Sequence, residues 1–254
     1  MTLKFSPGNH RYWLDGKPIP GVTSLIKGGV PAPALMYWSA KAVAEWVADN
    51  PEQCESLRAM GRYKMVAALK ETPWEARDTA AVRGTEVHAL AEQLVHGVEV
   101  DVPAHLTGHV EGYVRFLDSC QPIPVLTEKS VANVQHWYAG RFDLIADMAG
   151  VRWMLDVKTA RGVYGDNALQ VDAYRNAEFY VNEDAPDVHL PMPEGIERLG
   201  VLHVTDSGTE VIPLDSTGDP FRTFLHAAWV AKRKDAIKAY VGDALPAPAK
   251  EAVA

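Results

Sequence analysis

The chain has 254 residues, and its 33 acidic and 25 basic side chains give a formal net charge of −8. A hydrophobic content of 47% excludes a largely disordered protein, and the acidic balance argues against a protein that coats nucleic acid without specificity. Two cysteines exclude a disulfide framework, and without an apolar run of about 20 residues or a signal peptide we expect a cytoplasmic protein that does not enter a membrane.

The first 120 residues predict a short hairpin followed by helices. Tyr12–Leu14 and Lys17–Ile19 flank Asp15-Gly16, a pattern typical of a two-stranded hairpin. Apolar residues at three- and four-residue steps predict a helix from Pro33 to about Asn50. Its tryptophans favour a packed helix face over base stacking. Further helices are predicted over 52–70, from Pro73 to a C-terminal glycine at Gly97, and over 105–119.

The pattern then changes to strands, which are predicted over 125–131, 137–147 and 151–159. They are followed by a helix over 167–182, a loop through Pro193, a hairpin over 199–213 and a final helix over 221–241. We expect an α+β or mixed α/β fold. Its predicted parts are an N-terminal hairpin and helical region (1–75), a core (76–215), a C-terminal helix (216–243) and a disordered tail (244–254).

The register of the central hairpin follows from its turn. If Ala149-Gly150 is the turn, residues equally distant from it face each other, so Asp143 lies opposite Asp156. The same register pairs Asp147 with Arg152 on one face. Two carboxylates about 5 Å apart repel by roughly 3 kcal/mol at an effective dielectric near 20. A divalent cation or a shared proton relieves that repulsion, whereas the alternative is a solvated surface hairpin.

The residues around the two aspartates favour a covered strand with a chemical role. Leu155 and Val157 flank Asp156, and Lys158 points the same way two residues further on. Carboxylate oxygens suit Mg²⁺ or Mn²⁺, and a nearby lysine can orient or deprotonate an attacking water. These residue types are those that metal-assisted phosphodiester hydrolysis requires.

Several motifs carry a family resemblance. Gly140-Arg-Phe-Asp143 followed by Asp156-Val-Lys-Thr159 resembles the catalytic core of the PD-(D/E)XK nuclease superfamily, and more narrowly its RecB-like branch of phage-type and CRISPR-associated exonucleases. Arg83–His88 resembles the upstream helix motif of that branch, and Gln170–Tyr174 resembles its Gln-x-x-x-Tyr motif. The superfamily's proline is replaced by Phe142, and the cysteines that close an iron–sulfur cluster in some relatives are missing.

This resemblance implies a restriction-endonuclease-like core, with a central mixed β-sheet flanked by helices and an added N-terminal helical region. It implies one or two Mg²⁺ or Mn²⁺ ions and no iron–sulfur cluster. Lys158 would position or activate the water, Glu128 would lie near the metals, and Gln170 and Tyr174 would position the DNA and the active site. The metal ligands implied are His88, Asp143, Asp156 and the carbonyl of Val157.

The DNA-binding candidates are Arg83, Arg141, Thr159, Arg161, Gln170 and Tyr174. We therefore expect a DNA exonuclease for recombination, repair or phage DNA metabolism, with a recombinase or single-strand-annealing protein as a further partner. Two alternatives stay open: a catalytically silent DNA-binding or assembly subunit with this fold, and a metal-dependent hydrolase of small phosphoesters. The spacing of His105 and His109 suits zinc, but without cysteine partners we interpret it as coincidence.

Overall fold

A computed structural model describes residues 1–245, so positions 246–254 of the predicted tail lie outside the described residues. The protein is α+β, with a seven-stranded mixed sheet flanked by helices and a small three-stranded antiparallel sheet, β1-β2-β3. In the large sheet the strand order is β10-β9-β6-β5-β4-β7-β8, and β6 and β9 are its parallel neighbours. The strands are β1 (Leu3–Ser6), β2 (Arg11–Leu14), β3 (Lys17–Ile19), β4 (Ile123–Asn133), β5 (Tyr138–Met148), β6 (Val151–Lys158), β7 (Phe179–Asn182), β8 (Ala185–Pro191), β9 (Ile196–Thr205) and β10 (Gly208–Leu214).

The helices lie on both faces of the large sheet. They are α1 (Val22–Gly29), α2 (Pro33–Asp49), α3 (Pro51–Ala59), α4 (Arg62–Val95), α5 (Thr107–Cys120), α6 (Gly165–Arg175) and α7 (Pro220–Arg233), with short 3-10 helices at Ala104–Leu106 and Ala236–Tyr240. No helix of residues 1–245 has both the length and the apolar character needed to cross a bilayer.

Two apolar layers hold the helices to the sheet. On one face, α1, α6 and α7 bury Tyr138, Ile145 and Phe224. On the other face, α4 and α5 pack over Leu144 and Leu155. Because neighbouring residues of a strand point to opposite faces, adjacent residues of β5 serve different layers. Asp156 of β6, which is 2% exposed, is buried between these two layers.

The predicted register of the central hairpin is confirmed. β5 and β6 pair Leu144 with Leu155 and Met148 with Val151, around a turn in which Ala149 and Gly150 both have positive φ. Such turns match the natural twist of a hairpin. The expected pair also forms, since Arg152 Nε donates to Asp147 Oδ1 over 2.9 Å.

The helical region departs from the prediction in its boundaries. The helix predicted over 52–70 is interrupted, because Gly61 adopts a left-handed φ of 97° and separates α3 from α4. Pro73, predicted to begin a helix, lies inside α4, which runs for 34 residues. Gly97, with a φ of 72°, follows the end of α4 as predicted.

The packed face that the apolar stripe of α2 predicts forms only in part, since Val43 and Trp46 are half-buried. α2 contributes no buried residue, and Trp38 is 39% exposed. α2 and α3 pack on α4 and on each other. The periodicity that predicted the helix therefore does not identify a core element.

The sequence prediction is also wrong in parts of the C-terminal half. The helix predicted over 167–182 ends at Arg175, and its remainder contains strand β7, whose residues alternate between buried and half-buried. The predicted loop before Pro193 contains the edge strand β8, which includes Pro186. An edge strand tolerates proline because one of its sides makes no ladder bonds. Similarly, β1 was not predicted, and the final helix ends at Arg233 before a 3-10 turn.

Candidate metal centre

A histidine and two carboxylates meet where α4 crosses β4 and β5. His88 Nδ1 lies 3.5 Å from Asp143 Oδ1 and 3.7 Å from Glu128 Oε1. One ligand atom from each of the three side chains lies within 4.8 Å of the other two. We call these three residues the histidine–carboxylate cluster.

The spacing of this cluster fits a cation better than it fits direct hydrogen bonds. Both nitrogen–oxygen separations exceed the length of an ordinary N–H···O bond, which is about 2.7–3.2 Å. Two ligands about 2.1 Å from one ion lie about 3.0 Å apart at a right angle and about 4.2 Å apart when opposite. The two distances at His88 fall between these limits. The three side chains therefore suit one divalent ion.

Glu128 has an unusual backbone conformation that its neighbours support. Its φ is 51°, a left-handed conformation that costs a residue other than glycine about 1–3 kcal/mol. Arg141 Nε donates to Glu128 Oε2 over 2.6 Å and also pairs with Glu183. The Arg141 guanidinium lies 5.7 Å from the centre of the Phe5 ring. These contacts fix one oxygen of Glu128 and leave Oε1 facing His88.

The side chain of Asp143 accepts a backbone hydrogen bond from β6 at the point where the regular pairing of β5 and β6 ends. Regular pairing of β5 with β6 ends at Leu144 and Leu155, so Asp143 and Asp156 are not a ladder pair. Instead, the Val157 N–H donates to Asp143 Oδ2 over 2.6 Å. Val157, expected as a ligand through its carbonyl, thus has an observed role through its amide.

The charges of His88, Asp143 and Glu128 stabilise one another. Burial alone would raise the pKa of Asp143, but His88, Lys158 and the Val157 amide together lower it. Burial likewise opposes a charged His88, yet Asp143 and Glu128 raise the pKa of His88 well above its usual value. The site therefore attracts positive charge strongly enough to hold a proton on its histidine.

A second group, which we call the lysine cluster, surrounds Asp156. It consists of Asp156, Lys158, Gln170 and Tyr174. Lys158 Nζ contacts Asp156 Oδ2, and Gln170 Nε2 donates to Asp156 Oδ1 over 2.8 Å and to the Tyr174 hydroxyl over 3.1 Å. Asp156 is only 2% exposed. The structure thus places Asp156, an expected metal ligand, outside the group of three and against Lys158.

Burial and Asp143 raise the pKa of Asp156 to about 6, against the opposing effect of Lys158. Burial opposes the charge on Lys158, but Asp156 and Asp143 outweigh it and raise the pKa of this ammonium group. A charged lysine donates hydrogen bonds and accepts none. This favours an orienting role for Lys158 over proton abstraction.

Gly140 explains how Gln170 and Tyr174 reach the sheet. A Cβ atom at Gly140 would lie 2.3 Å from Cε1 of Tyr174, so the ring packs directly on the backbone of β5. Tyr138 strengthens the same junction, since its hydroxyl donates to the Ala173 carbonyl over 2.8 Å. The glycine of the Gly-Arg-Phe-Asp motif therefore has a packing reason that sequence spacing did not reveal.

The other candidates lie around these clusters. Thr159 follows β6 directly, its hydroxyl lies near Gly84 on α4, and Arg161 is exposed two residues beyond. Arg141, expected to contact DNA, pairs with Glu128 and Glu183. His105 Nε2 lies 3.0 Å from Glu86 Oε2.

Two residues near the site were not predicted from the sequence. Burial raises the pKa of Tyr12 against the effect of Arg141, and the carboxylates of Asp143 and Glu128 raise it further. Glu183 follows strand β7, in a segment predicted as loop, so no pattern pointed to its pairing with Arg141. Helix and strand periodicity reveals neither that Tyr12 lies near these carboxylates nor that Glu183 pairs with Arg141.

No family model matches this chain, and no curated protein matches it in sequence. Its function must therefore be inferred from the geometry of the two clusters. Together they place one imidazole and two carboxylates, a donor set suited to a cation, beside a buried carboxylate that contacts an ammonium group.

Proposed function

We propose that the protein is a Mg²⁺- or Mn²⁺-dependent deoxyribonuclease that hydrolyses phosphodiester bonds, and that it acts as an exonuclease. The observation that carries this proposal is the position of the histidine–carboxylate cluster beside the Asp156–Lys158 pair. Metal-assisted phosphoryl chemistry needs a cation at the phosphate oxygens and a group that orients the nucleophile. The two clusters supply ligands for the first and a candidate for the second.

The protein's own residues divide the work in this proposal. His88, Glu128 and Asp143 hold the ion, which when bound withdraws charge from the phosphate oxygens. Gln170 holds Asp156, and Asp156 holds Lys158. The Lys158 ammonium donates a hydrogen bond to the attacking water and so fixes its approach. The water oxygen then bonds to phosphorus and the water releases a proton to solvent. The phosphorus–oxygen bond to the leaving nucleoside breaks, and the leaving oxygen takes up a proton from solvent.

The donor set favours Mn²⁺ over Mg²⁺. Mg²⁺ prefers oxygen ligands, whereas imidazole nitrogen is more common around transition metals. His88 supplies that nitrogen, and Glu128 and Asp143 supply oxygens. We therefore expect Mn²⁺ to support activity at lower concentrations than Mg²⁺.

The topology supports the proposal of a restriction-endonuclease-like core. Three antiparallel strands, β4, β5 and β6, carry the acidic residues. After α6, β7 and β8, the chain returns to β9, which pairs with β6 in parallel. α6 delivers Gln170 from one face, and α4 delivers His88 from the other. Both clusters therefore lie at the open end of the β5–β6 hairpin, away from its turn.

Digestion of linear and closed circular DNA with Mn²⁺ tests this proposal. Lys158→Ala should lower the cleavage rate by about 10²-fold, as expected when the attacking water is no longer held in position. Lys17→Ala, which changes an exposed lysine of β3, serves as the matched control. Degradation of linear DNA alone supports an exonuclease, and nicking of circular DNA would replace it with an endonuclease. Cleavage in excess EDTA would contradict the proposed activity. So would the absence of cleavage of both substrates with Mn²⁺ and with Mg²⁺.

A further inference from the structure

Tyr113 differs from the other two buried tyrosines of residues 1–245. Tyr113 is 2% exposed, and Tyr138 and Tyr174 are 0% and 4% exposed. The Tyr138 hydroxyl donates to the Ala173 carbonyl, and the Tyr174 hydroxyl accepts a hydrogen bond from Gln170. The Tyr113 hydroxyl has no hydrogen-bond partner within the described chain, yet it retains some accessible surface. A buried ring therefore presents an unpaired hydroxyl to a pocket.

This pocket lies beside the histidine–carboxylate cluster. Its walls include all three residues of the cluster, together with Tyr113 from α5 and Glu92 from α4. The Tyr113 ring belongs to the apolar layer of α4 and α5, where its centroid lies 5.7 Å from that of Phe116. The ring is thus held in the core, and its hydroxyl end faces the same pocket as the cluster.

The charges around the pocket lie close to this hydroxyl. Burial raises the pKa of Tyr113, and the negative charges of Asp143 and Glu128 raise it further. The hydroxyl therefore keeps its proton at neutral pH, and it can donate a hydrogen bond but does not bind a cation as a phenolate. Because it has no partner among residues 1–245, an intervening molecule is needed to connect it to the carboxylates.

The pocket has room for one water molecule. Its cavity volume is about 10 Å³, which is close to the smallest that holds a water. An ion lies about 2.1 Å from its ligand atoms, whereas a water lies about 2.8 Å from the oxygen atoms to which it is hydrogen-bonded. A cavity that admits a water is therefore a position next to the ion and not the position of the ion itself.

From this geometry we infer that the pocket holds an ordered water that links the Tyr113 hydroxyl to the ion. Tyr113 donates to one lone pair of the water oxygen, and the other lone pair is a ligand of the ion. Three protein side chains leave such positions open around an octahedral ion. Glu92, one turn after His88 on α4, is an acceptor for a proton of the same water. Tyr113 is thus a positioning residue, and this inference rests on the proposed function for its metal alone.

The competing explanation is that Tyr113 only fills the apolar layer. Its contact with Phe116 would then be its whole contribution, and removal of the hydroxyl would leave the affinity for Mn²⁺ unchanged. The two explanations differ in what Tyr113→Phe does to the ion, because this substitution keeps the ring and removes only the hydroxyl.

The first test measures Mn²⁺ affinity by calorimetry without DNA. Tyr113→Phe should bind Mn²⁺ about tenfold more weakly, as is common when a group that orients a metal ligand is lost. Its melting temperature without metal should not fall, because the hydroxyl has no protein partner within the described residues. Tyr138→Phe is the matched control, since its hydroxyl bonds the backbone carbonyls of Ala173 and Asn176. This control should have a lower melting temperature and the Mn²⁺ affinity of wild type. Equal Mn²⁺ affinities of Tyr113→Phe and wild type would overturn the inference.

The second test follows the water itself, through the oxygen-17 relaxation of solvent by bound Mn²⁺. Wild type and Tyr138→Phe should each have one slowly exchanging water ligand. In Tyr113→Phe this water should exchange about five- to tenfold faster, which is the effect of losing one hydrogen bond. Identical exchange in the three proteins would overturn the inference. A protein that binds Mn²⁺ in this Tyr113-dependent way yet cleaves no DNA would disprove the nuclease proposal alone.

Discussion

The histidine–carboxylate cluster and the lysine cluster contain similar carboxylates but neutralise them differently. Asp156 receives Lys158 and Gln170, so the protein itself supplies the partners of that carboxylate. Among residues 1–245, Glu128 Oε1 and Asp143 Oδ1 have no ion-pair partner other than the imidazole of His88, which lies too far away for good hydrogen bonds. The difference indicates that one cluster is complete within the chain, whereas the other is arranged for an added positive charge.

The largest difference between the clusters should appear when one carboxylate of each is neutralised. Asp143→Asn should abolish the stabilisation by Mn²⁺, which for wild type at a hundred times the dissociation constant is about 2.7 kcal/mol. Asp156→Asn should retain most of that stabilisation, because Asp156 lies outside the group of three. Thermal unfolding with and without Mn²⁺ measures both. Equal losses in the two variants would mean that both aspartates are ligands.

The pH dependence of Mn²⁺ affinity should distinguish the two clusters by a smaller effect. Asp143 and Glu128, acting against burial, raise the pKa of His88, and a proton on this imidazole competes with the ion. Affinity for Mn²⁺ should therefore fall by about tenfold for each pH unit below that pKa and should rise with pH. Calorimetric titrations between pH 6 and 8 test this sign. His88→Gln should flatten the dependence, and a flat wild-type profile would exclude His88 as a ligand.

Asp156 titrates in the same range but with a different consequence. Its pKa is raised, to about 6, so folding is disfavoured by its ionisation and stability from this group is lost as pH rises through 6. In Asp156→Asn the loss of unfolding free energy across this range should be smaller than in wild type. Urea unfolding at pH 5 and 7 measures it, and an unchanged difference would show that another group dominates.

The smallest effect should come from the edge of the lysine cluster. Tyr174→Phe removes the acceptor for one Gln170 bond but keeps the ring that packs on Gly140. The free energy of unfolding should fall by about 1 kcal/mol, and Gln170 should still hold Asp156. Mn²⁺ stabilisation should be unchanged. A Tyr174→Phe variant that lost Mn²⁺ binding would contradict the separation of the two clusters.

The sequence was informative where local rules decide the structure. The Ala149-Gly150 turn determined the register of β5 and β6, and Gly97 marked the end of α4. These features depend on residues close in the chain. The position of Lys158 beside Asp156 followed from the two-residue period of a strand.

The sequence was less informative where distant segments decide the structure. The left-handed backbone of Glu128 and its clamp by Arg141 and Glu183 depend on three separate segments. Strand β8 contains proline and acidic residues that its edge position tolerates, so its pattern resembles a loop. Periodicity also predicted helix α2 correctly but could not show that none of its apolar side chains is fully buried.

Electron paramagnetic resonance of Mn²⁺ bound to Lys158→Ala tests the metal centre most directly, since this variant keeps the histidine–carboxylate cluster. We expect one bound ion whose electron spin couples to a single imidazole nitrogen, and loss of that coupling in the double variant with His88→Gln. An ion that binds the single and double variants with equal affinity and shows no nitrogen coupling in either would contradict the assignment of His88, Glu128 and Asp143 as its ligands.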